Sequence, residues 1–441
     1  MTCIQPNATQ KQKPDYLAVV DVNPNSKDYC KIIHHEKALN IGDEFHHMGW
    51  NSCSSCFDDP SKVRNKLILP CLVSDRIYVF DTSDQTKLKL FAVIEPNQLW
   101  EKRVGAPHTV HCLADGNVMI SCMGDEKSNN KGSFILIDGE TFKVKDLWNK
   151  EYAKFNYDFW YQPRHNVLIS SEWGAPSAFR KGFDLNDVNQ KKYGNSLNVW
   201  NWETRELIQT INLGDEGIMP LEIRFLHNPD SAEGFVGCAL SSNIFRFFKS
   251  DQIWKAEKVI SIPKKKVENW ILDEMPGIIT DILISLDDRY LFMSNWVHGD
   301  IRQYDISNTA KPKLVGQIFI GGSICIESKV IVRKDQELTS QPKRLIVKSK
   351  PIYGGPQMIQ LSLDGKRLYV TNSLLSAWDK QFYPEIVKNG STMLLVNVDN
   401  EKGGLSIDHS FLVDFGQAPD GPVLAHEIRY PGGDCTSDIW I

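Results

Sequence analysis

The sequence predicts an all-β fold: a seven-bladed β-propeller closed into a ring by its C-terminal segment. Three observations predict it: seven similar strand units, hairpin turns of Asp/Gly type inside them, and almost no helical periodicity.

A short alternating strand recurs at Tyr16 (YLAVVDV), Arg76 (RIYVFDT), Ser133 (SFILIDG), Leu197 (LNVWNWE), Asn243 (NIFRFFK), Asp300 (DIRQYDI) and Met393 (MLLVNVD). The spacings are 60, 57, 64, 46, 57 and 93 residues, and only the last is long. Its excess falls in 323–356, which reads as an insertion in the last blade. Ahead of four of the recurring strands sits a hairpin, clearest in ISLDDRYLFMSN (284–295) and LSLDGKRLYVTN (361–372), looser at 112–121 and 162–171. Asp-Gly accepts positive φ at such turns, and the second strand ends in small polar residues. A pair of β-sandwiches would also give many short strands, but would not require seven similar units. The first unit has no strands before it, so its inner strands are expected from the run Ala425–Ile441. Residues 1–14 read as a short, poorly ordered leader and 15–441 as one propeller domain.

Charge and hydropathy exclude several function classes. The net charge is -5 and the sequence pI about 6.1, so no basic field invites nucleic acid. Lys264-Lys265-Lys266 after Pro263 reads as a solvated loop. No apolar run reaches the ~18–20 residues of a membrane span, and the amino terminus lacks the apolar core of a signal peptide. Ten cysteines are too sparse for a disulfide scaffold, so a reducing compartment, the cytosol, is expected. The sequon Asn389-Gly390-Ser391 has no weight without a secretory signal.

Aligned on their turns, the units place a polar group near the start of nearly every inner strand. In order these are His46-His47, His108 with His111, Asp158, Glu222, Asp281, Gln357 and His426-Glu427. Imidazoles beside carboxylates suit a transition metal; they equally suit a water-filled channel in which they satisfy polar backbone, and spacing leaves both readings open. His108 and His111 should face opposite sides of an extended strand. The adjacent His46-His47 has the same difficulty, so one of that pair is expected behind the other as a supporting group.

Trp173, Trp296 and Trp378, with His298, fall in loops on the same face and could wall a small apolar pocket or pack blade against blade. His165 and His227 read as structural, and His34, His35 and His409 as solvent-facing. Cys53-Ser54-Ser55-Cys56 has the spacing of a redox pair or half a zinc site, but no second CxxC and no βαβ context accompany it. Cys30 has Lys31 beside it, although neighbours in a strand point to opposite faces.

The strings HHMGWNSCSSCF (46–57), YDFWYQPRHNVLISSEW (157–173), LEIRFLHNPDSAEGFVGCALSS (221–242), GGPQMIQLSLDGKRLYVTNSLLSAWDKQFYP (354–384) and LAHEIRYPGGDCTSDIWI (424–441) resemble the selenium-binding protein/methanethiol oxidase family. The resemblance runs from about Asp15 to Ile441. It implies a propeller that converts methanethiol, oxygen and water to formaldehyde, hydrogen sulfide and hydrogen peroxide. It also implies copper, with ligands among His46, His47, His108, His111 and His426, and selenium at Cys30. Glu222, Asp281 or Glu427 would then move the proton of the attacking water. The alternative it carries is a non-catalytic selenium carrier that docks proteins on its rim. The resemblance also implies a protein that is mainly cytosolic, sometimes nuclear or peripherally membrane-associated, and linked to intra-Golgi transport. Relatives have a longer leader with a Cys-Gly-Pro-Gly segment, so part of the first blade or a covering segment is expected to be missing here.

Overall fold

Short apolar runs broken by turns cannot bury their own backbone; they satisfy it by pairing side by side. The computed structural model describes residues 1–6, 13–56, 58–436 and 438–441. Among them it has six four-stranded sheets, one five-stranded sheet and two smaller ones, and every pairing within them is antiparallel. Six of the larger sheets follow chain order. Their leading strands are Gly49–Trp50, Gly105–Cys112, Phe159–Gln162, Pro220–Phe225, Ile279–Ile284 and Ile359–Leu361. The remaining sheet joins the two ends of the chain, in the order Leu424–Ala425, Thr2–Ile4, Tyr16–Val20, Ile32–Lys37.

The turn chemistry is visible in the backbone. Gly116 and Gly365 take φ of 84° and 69° at the two Asp-Gly turns, and where the copy reads Asp-Asp, Asp288 adopts φ 56° instead. The small polar residues that end the second strands have a task that spacing did not reveal. Ser121 donates its hydroxyl to the Tyr157 carbonyl (2.6 Å), Ser171 to Leu221 (2.5 Å) and Ser294 to Gln357 (2.7 Å), while Thr371 donates to His426. Each bond crosses from one sheet to the leading segment of the next. Apolar side chains fill the space between sheets: Ile68, Val79, Val110, Val118 and Ile120 form one such cluster. Each of these contributes roughly 1.5–3 kcal/mol by leaving water. The leading strands approach closely there, since a Cβ on Gly49 would lie 2.5 Å from the Val110 carbonyl oxygen.

Three sequence expectations need correction. The leader is in part a structural element: Thr2–Ile4 is a buried strand, paired Cys3 to Tyr16 on one side and Cys3 to Ala425 on the other. Alternation in TCI was too short to read, and only the second partner strand makes it a sheet. Residues 7–12 of the leader lie outside the described residues. The C-terminal run contributes a two-residue strand, Leu424–Ala425, at the start of the expected stretch rather than along it. Finally, the lysine run is a strand rather than a solvated loop. Lys265–Glu268 pairs with Ile331–Lys334 of the 323–356 segment, and the Lys265 ammonium is buried 2.7 Å from Asp335. No helix among the described residues is long and apolar enough to cross a membrane.

Candidate functional site

The leading segments of three sheets bring four imidazoles together. His46 and His47 precede Gly49 in irregular backbone, His108 is on the strand Gly105–Cys112, and His426 follows Leu424–Ala425. The His46 ring stacks on His426 with centroids 3.9 Å apart, and His47 is 4.3 Å from His108 and 5.1 Å from His426. Candidate ligand atoms of His46, His47 and His426 all lie within 4.8 Å of one another. All four rings are buried.

His46 and His47 both lie in the cluster, with ring centroids 4.5 Å apart. Both rings enter the cluster because the pair sits in a loop, where the strict alternation of a strand does not apply. The parity objection to His108 and His111 also fails, for a different reason. Between Pro107 and Val110 the strand carries one extra residue against Cys122 and Ile120 of its partner, a bulge that turns both histidines inward. They nevertheless part company: His108 joins the other imidazoles, while His111 is set edge-on to Phe159 and Trp160 in a neighbouring cavity with both nitrogens unpartnered.

Hydrogen bonds settle which nitrogen of each ring is free. A carbonyl can only accept, so His426 donates from Nδ1 to the Ser373 carbonyl (2.8 Å). Thr109 gives its proton to the Tyr157 carbonyl and accepts from His108 Nδ1 at 3.0 Å. His47 Nδ1 donates to Glu427 at 2.9 Å. In all three rings Nε2 is left buried without a partner. Burial holds the rings neutral: His47 and His426 are lowered to about 3, and His46 and His108 fall well below the usual range. Three fixed lone pairs with no donor facing them, in a dry site, are what a transition metal needs.

Asp158, Asp281 and Glu427 act as clamps between sheets and Glu222 does not, although Asp281 also keeps one oxygen buried and unpartnered. Asp158 accepts from the Ile223 N–H (2.8 Å) and Asp281 from the Ile359 N–H (2.9 Å), each holding the next sheet. Glu427 accepts from the Met48 N–H in the same way, and also from His47 and Arg429 (2.7 Å). Glu222 accepts only on one side, from Arg224 at 2.8 Å. Its other oxygen is buried, unpartnered and 3.9 Å from His47 Nε2. Burial and the nearby Asp158 charge push Glu222 well above the usual carboxylate range, while Arg224 overrides burial and keeps Asp158 below it. Burial also raises Asp281 and Glu427 to about 7. His47, His111, Asp158, Glu222, Arg224 and Glu427 line part of a cavity of about 10 Å³, room for roughly one water. Larger concavities of about 210 and 590 Å³ lie elsewhere on the surface, near Lys350 and near Lys181, away from these groups.

An aromatic wall begins at the imidazoles. Tyr157 lies 3.9 Å from His108 and 5.1 Å from Trp173, which stacks on Phe179 at 4.2 Å; Trp378 is 6.3 Å from Trp173. Trp296 reaches this group through Phe382 (5.3 Å). His298 is buried elsewhere, donating to the Met275 carbonyl at 3.1 Å, and makes no ring contact with the four histidines among the described residues. Cys30 is half-buried in a turn at φ 66°, with the Lys348 ammonium, rather than Lys31, 3.9 Å from its sulfur. Cys53 and Cys56 are free buried thiols. Tyr157, Arg224 and Arg429 were not singled out from sequence; only the fold sets them against the site.

A family model described as 56 kDa selenium binding protein matches residues 1–441. A Xenopus laevis protein named methanethiol oxidase is 62% identical over 446 residues, covering 100% of this chain and 94% of its own. The human methanethiol oxidase is 59% identical and the mouse selenium-binding protein 2 is 58% identical, with the same coverage of 100% and 94%. Among solved structures, a hypothetical selenium-binding protein from Sulfolobus tokodaii superimposes with TM-score 0.88 at 37% identity, covering 100% of this chain and 94% of its own. A putative 6-phosphogluconolactonase from Bacteroides uniformis, 12% identical with TM-score 0.53 over 90% of this chain and 96% of its own, is similar in fold alone.

Proposed function

The chain belongs to the 56 kDa selenium binding protein family, and we propose that it is a methanethiol oxidase. Methanethiol, oxygen and water would yield formaldehyde, hydrogen sulfide and hydrogen peroxide. The observation that carries this reading is the set of orphaned, neutral Nε2 atoms on His47, His108 and His426, with His46 stacked beside them. We read the seven larger sheets as the blades of one propeller, closed where Thr2–Ile4 meets Leu424–Ala425. This ring gathers residues from both ends of the chain at one mouth.

His46, His47, His108 and His426 would hold copper, and His111 is left out. Copper bound there supplies one-electron exchange between a thiolate and oxygen. Glu427 and the Ser373 carbonyl fix the two tautomers that present Nε2. Tyr157, Trp173 and Trp378 provide an apolar wall against which a methyl group packs. Glu222 holds or releases a proton at its free oxygen, beside the one-water cavity. Glu427 and Asp281 are clamps and serve as positioning groups.

The test is His47→Ala and His426→Ala, each assayed for copper by elemental analysis and for sulfide release from methanethiol. Both signals should vanish together; turnover at the wild-type rate without copper would overturn the proposal. A second reading, selenium carriage at Cys30, is favoured by the Lys348 ammonium beside that sulfur. Cys30→Ala should then abolish selenium uptake and leave sulfide release intact.

A further inference from the structure

A third cysteine completes the CxxC segment. The turn Ser54–Cys56 folds its thiols toward Cys112, the last residue of the strand that carries His108 and His111. Cys112 donates to Cys53 with the two sulfurs 2.7 Å apart, a short movement above the ~2.05 Å of a disulfide. Ser55, fully buried, sets its hydroxyl 3.1 Å from Cys53, 3.6 Å from Cys112 and 3.8 Å from Cys56. The Cys56 thiol donates to the Leu113 carbonyl at 3.6 Å. All three are free thiols.

We propose that Cys53 and Cys112 are a peroxide-reactive thiol pair that closes to a Cys53–Cys112 disulfide, with Cys56 beside them and outside the bond. The pairing departs from the Cys53–Cys56 partnership that the CxxC spacing suggests. It rests on which sulfurs face each other. The surroundings favour thiolate at the CxxC end: burial would raise Cys53, but the Cys112 and Ser55 donors outweigh it and bring it below its usual range. The Cys112 donor brings Cys56 to about 6 against burial. Cys112 has one proton to give, so it serves one of the two at a time. At Cys122, Cys238 and Cys435 burial is the largest influence and pushes the thiols up into the inert range.

The oxidant is hydrogen peroxide from any source, so the inference does not depend on the oxidase reading. The Cys53 sulfur attacks one peroxide oxygen, the O–O bond breaks, and a water leaves behind a sulfenic acid. The Cys112 sulfur then attacks that sulfur, and the hydroxyl departs with the Cys112 proton as a second water. Two thiols lose two electrons and the peroxide gains them. The new bond joins the chain just past His46-His47 to the strand that carries His108. Asp438, near the C-terminus, accepts from the Ser54 N–H (3.0 Å) and hydroxyl (3.1 Å) and so covers the turn.

The experiment treats the full chain with hydrogen peroxide, unfolds it in an alkylating agent without reductant, and maps peptides by mass spectrometry. Alkylation of Cys53 and Cys112 should fall about tenfold relative to Cys122, Cys238 and Cys435, with a linked Cys53–Cys112 peptide that dithiothreitol releases. Cys56→Ser should still form the Cys53–Cys112 link. Cys112→Ser should leave a sulfenic acid at Cys53 that dimedone traps. A Cys53–Cys56 link, or three thiols that stay alkylatable while Cys30 is oxidised, would overturn the proposal, as would protection by a bound soft metal with no bond formed. Mapping the unsubstituted protein decides the matter even if a variant fails to fold.

Discussion

The two sides of the buried polar cluster use ionisable groups in opposite ways. On the side built from Phe159–Gln162, Pro220–Phe225 and Ile279–Ile284, three carboxylates surround one guanidinium: Arg224 contacts Asp158 at 2.7 Å, Glu222 at 2.8 Å and Asp281 at 3.9 Å. There Asp158 and Asp281 also take the backbone N–H of the following sheet, so the polar groups hold the architecture. On the side built from residues 46–50, Gly105–Cys112 and Leu424–Ala425, four imidazoles converge and three keep an unused lone pair. A buried polar group that is satisfied stabilises; one left open in a dry site marks a place for a ligand. Glu222 and Asp281 belong to the first side by position and to the second by one free oxygen each.

This contrast predicts that substitutions on the two sides fail differently. Arg224→Met leaves three buried carboxylates without their counter-charge and should cost about 3–5 kcal/mol in guanidinium unfolding. His108→Gln should cost no more than about 1.5 kcal/mol, since a single hydrogen bond to Thr109 is lost, yet lower copper content. Comparable stability losses in the two would erase the distinction. Glu222→Gln keeps the shape and should lower sulfide release about 100-fold with copper content unchanged, the size expected when a proton carrier is removed. Gly49→Ala drives a methyl into the Val110 carbonyl and should cost about 1–3 kcal/mol without altering either side's chemistry.

The smallest effect is in the pH dependence of the metal-free protein, where the two sides have opposite sign. The histidines are lowered to about 3 in His47 and His426, so the unfolded chain binds more protons between about pH 6.5 and 3. Their stability is present above pH 6.5 and is lost as pH falls through that window. Asp281 is raised to about 7, so the folded state binds the extra proton, and its contribution is lost as pH rises from about 4 to 7. His426→Gln should therefore flatten the fall in unfolding free energy on acidification between pH 6.5 and 4. Asp281→Asn should flatten the opposing loss as pH rises.

The repeat was legible because each unit must bury the same faces and turn the same corners. The Asp/Gly hairpins and the small polar residues ending each second strand recur for that reason, and they locate the sheets without any family likeness. That His46, His47, His108 and His426 lie on or beside the leading strands was legible by the same alignment. Thr2–Ile4 was not: three residues carry no period, and their partners lie far away in the chain at Tyr16 and Leu424. Nor did spacing show that a bulge sets both His108 and His111 inward, because one extra residue inverts every side chain beyond it. Spacing paired Cys53 with Cys56, while the fold set Cys112 against Cys53. The sequence by itself determined the sheets and the residue types at their leading edges, because local periodicity and turn chemistry encode them. Only the tertiary structure decided which nitrogen is free, which carboxylate is a clamp and which thiols face each other. Those outcomes turn on hydrogen bonds between sheets distant in the chain, and no local pattern records them.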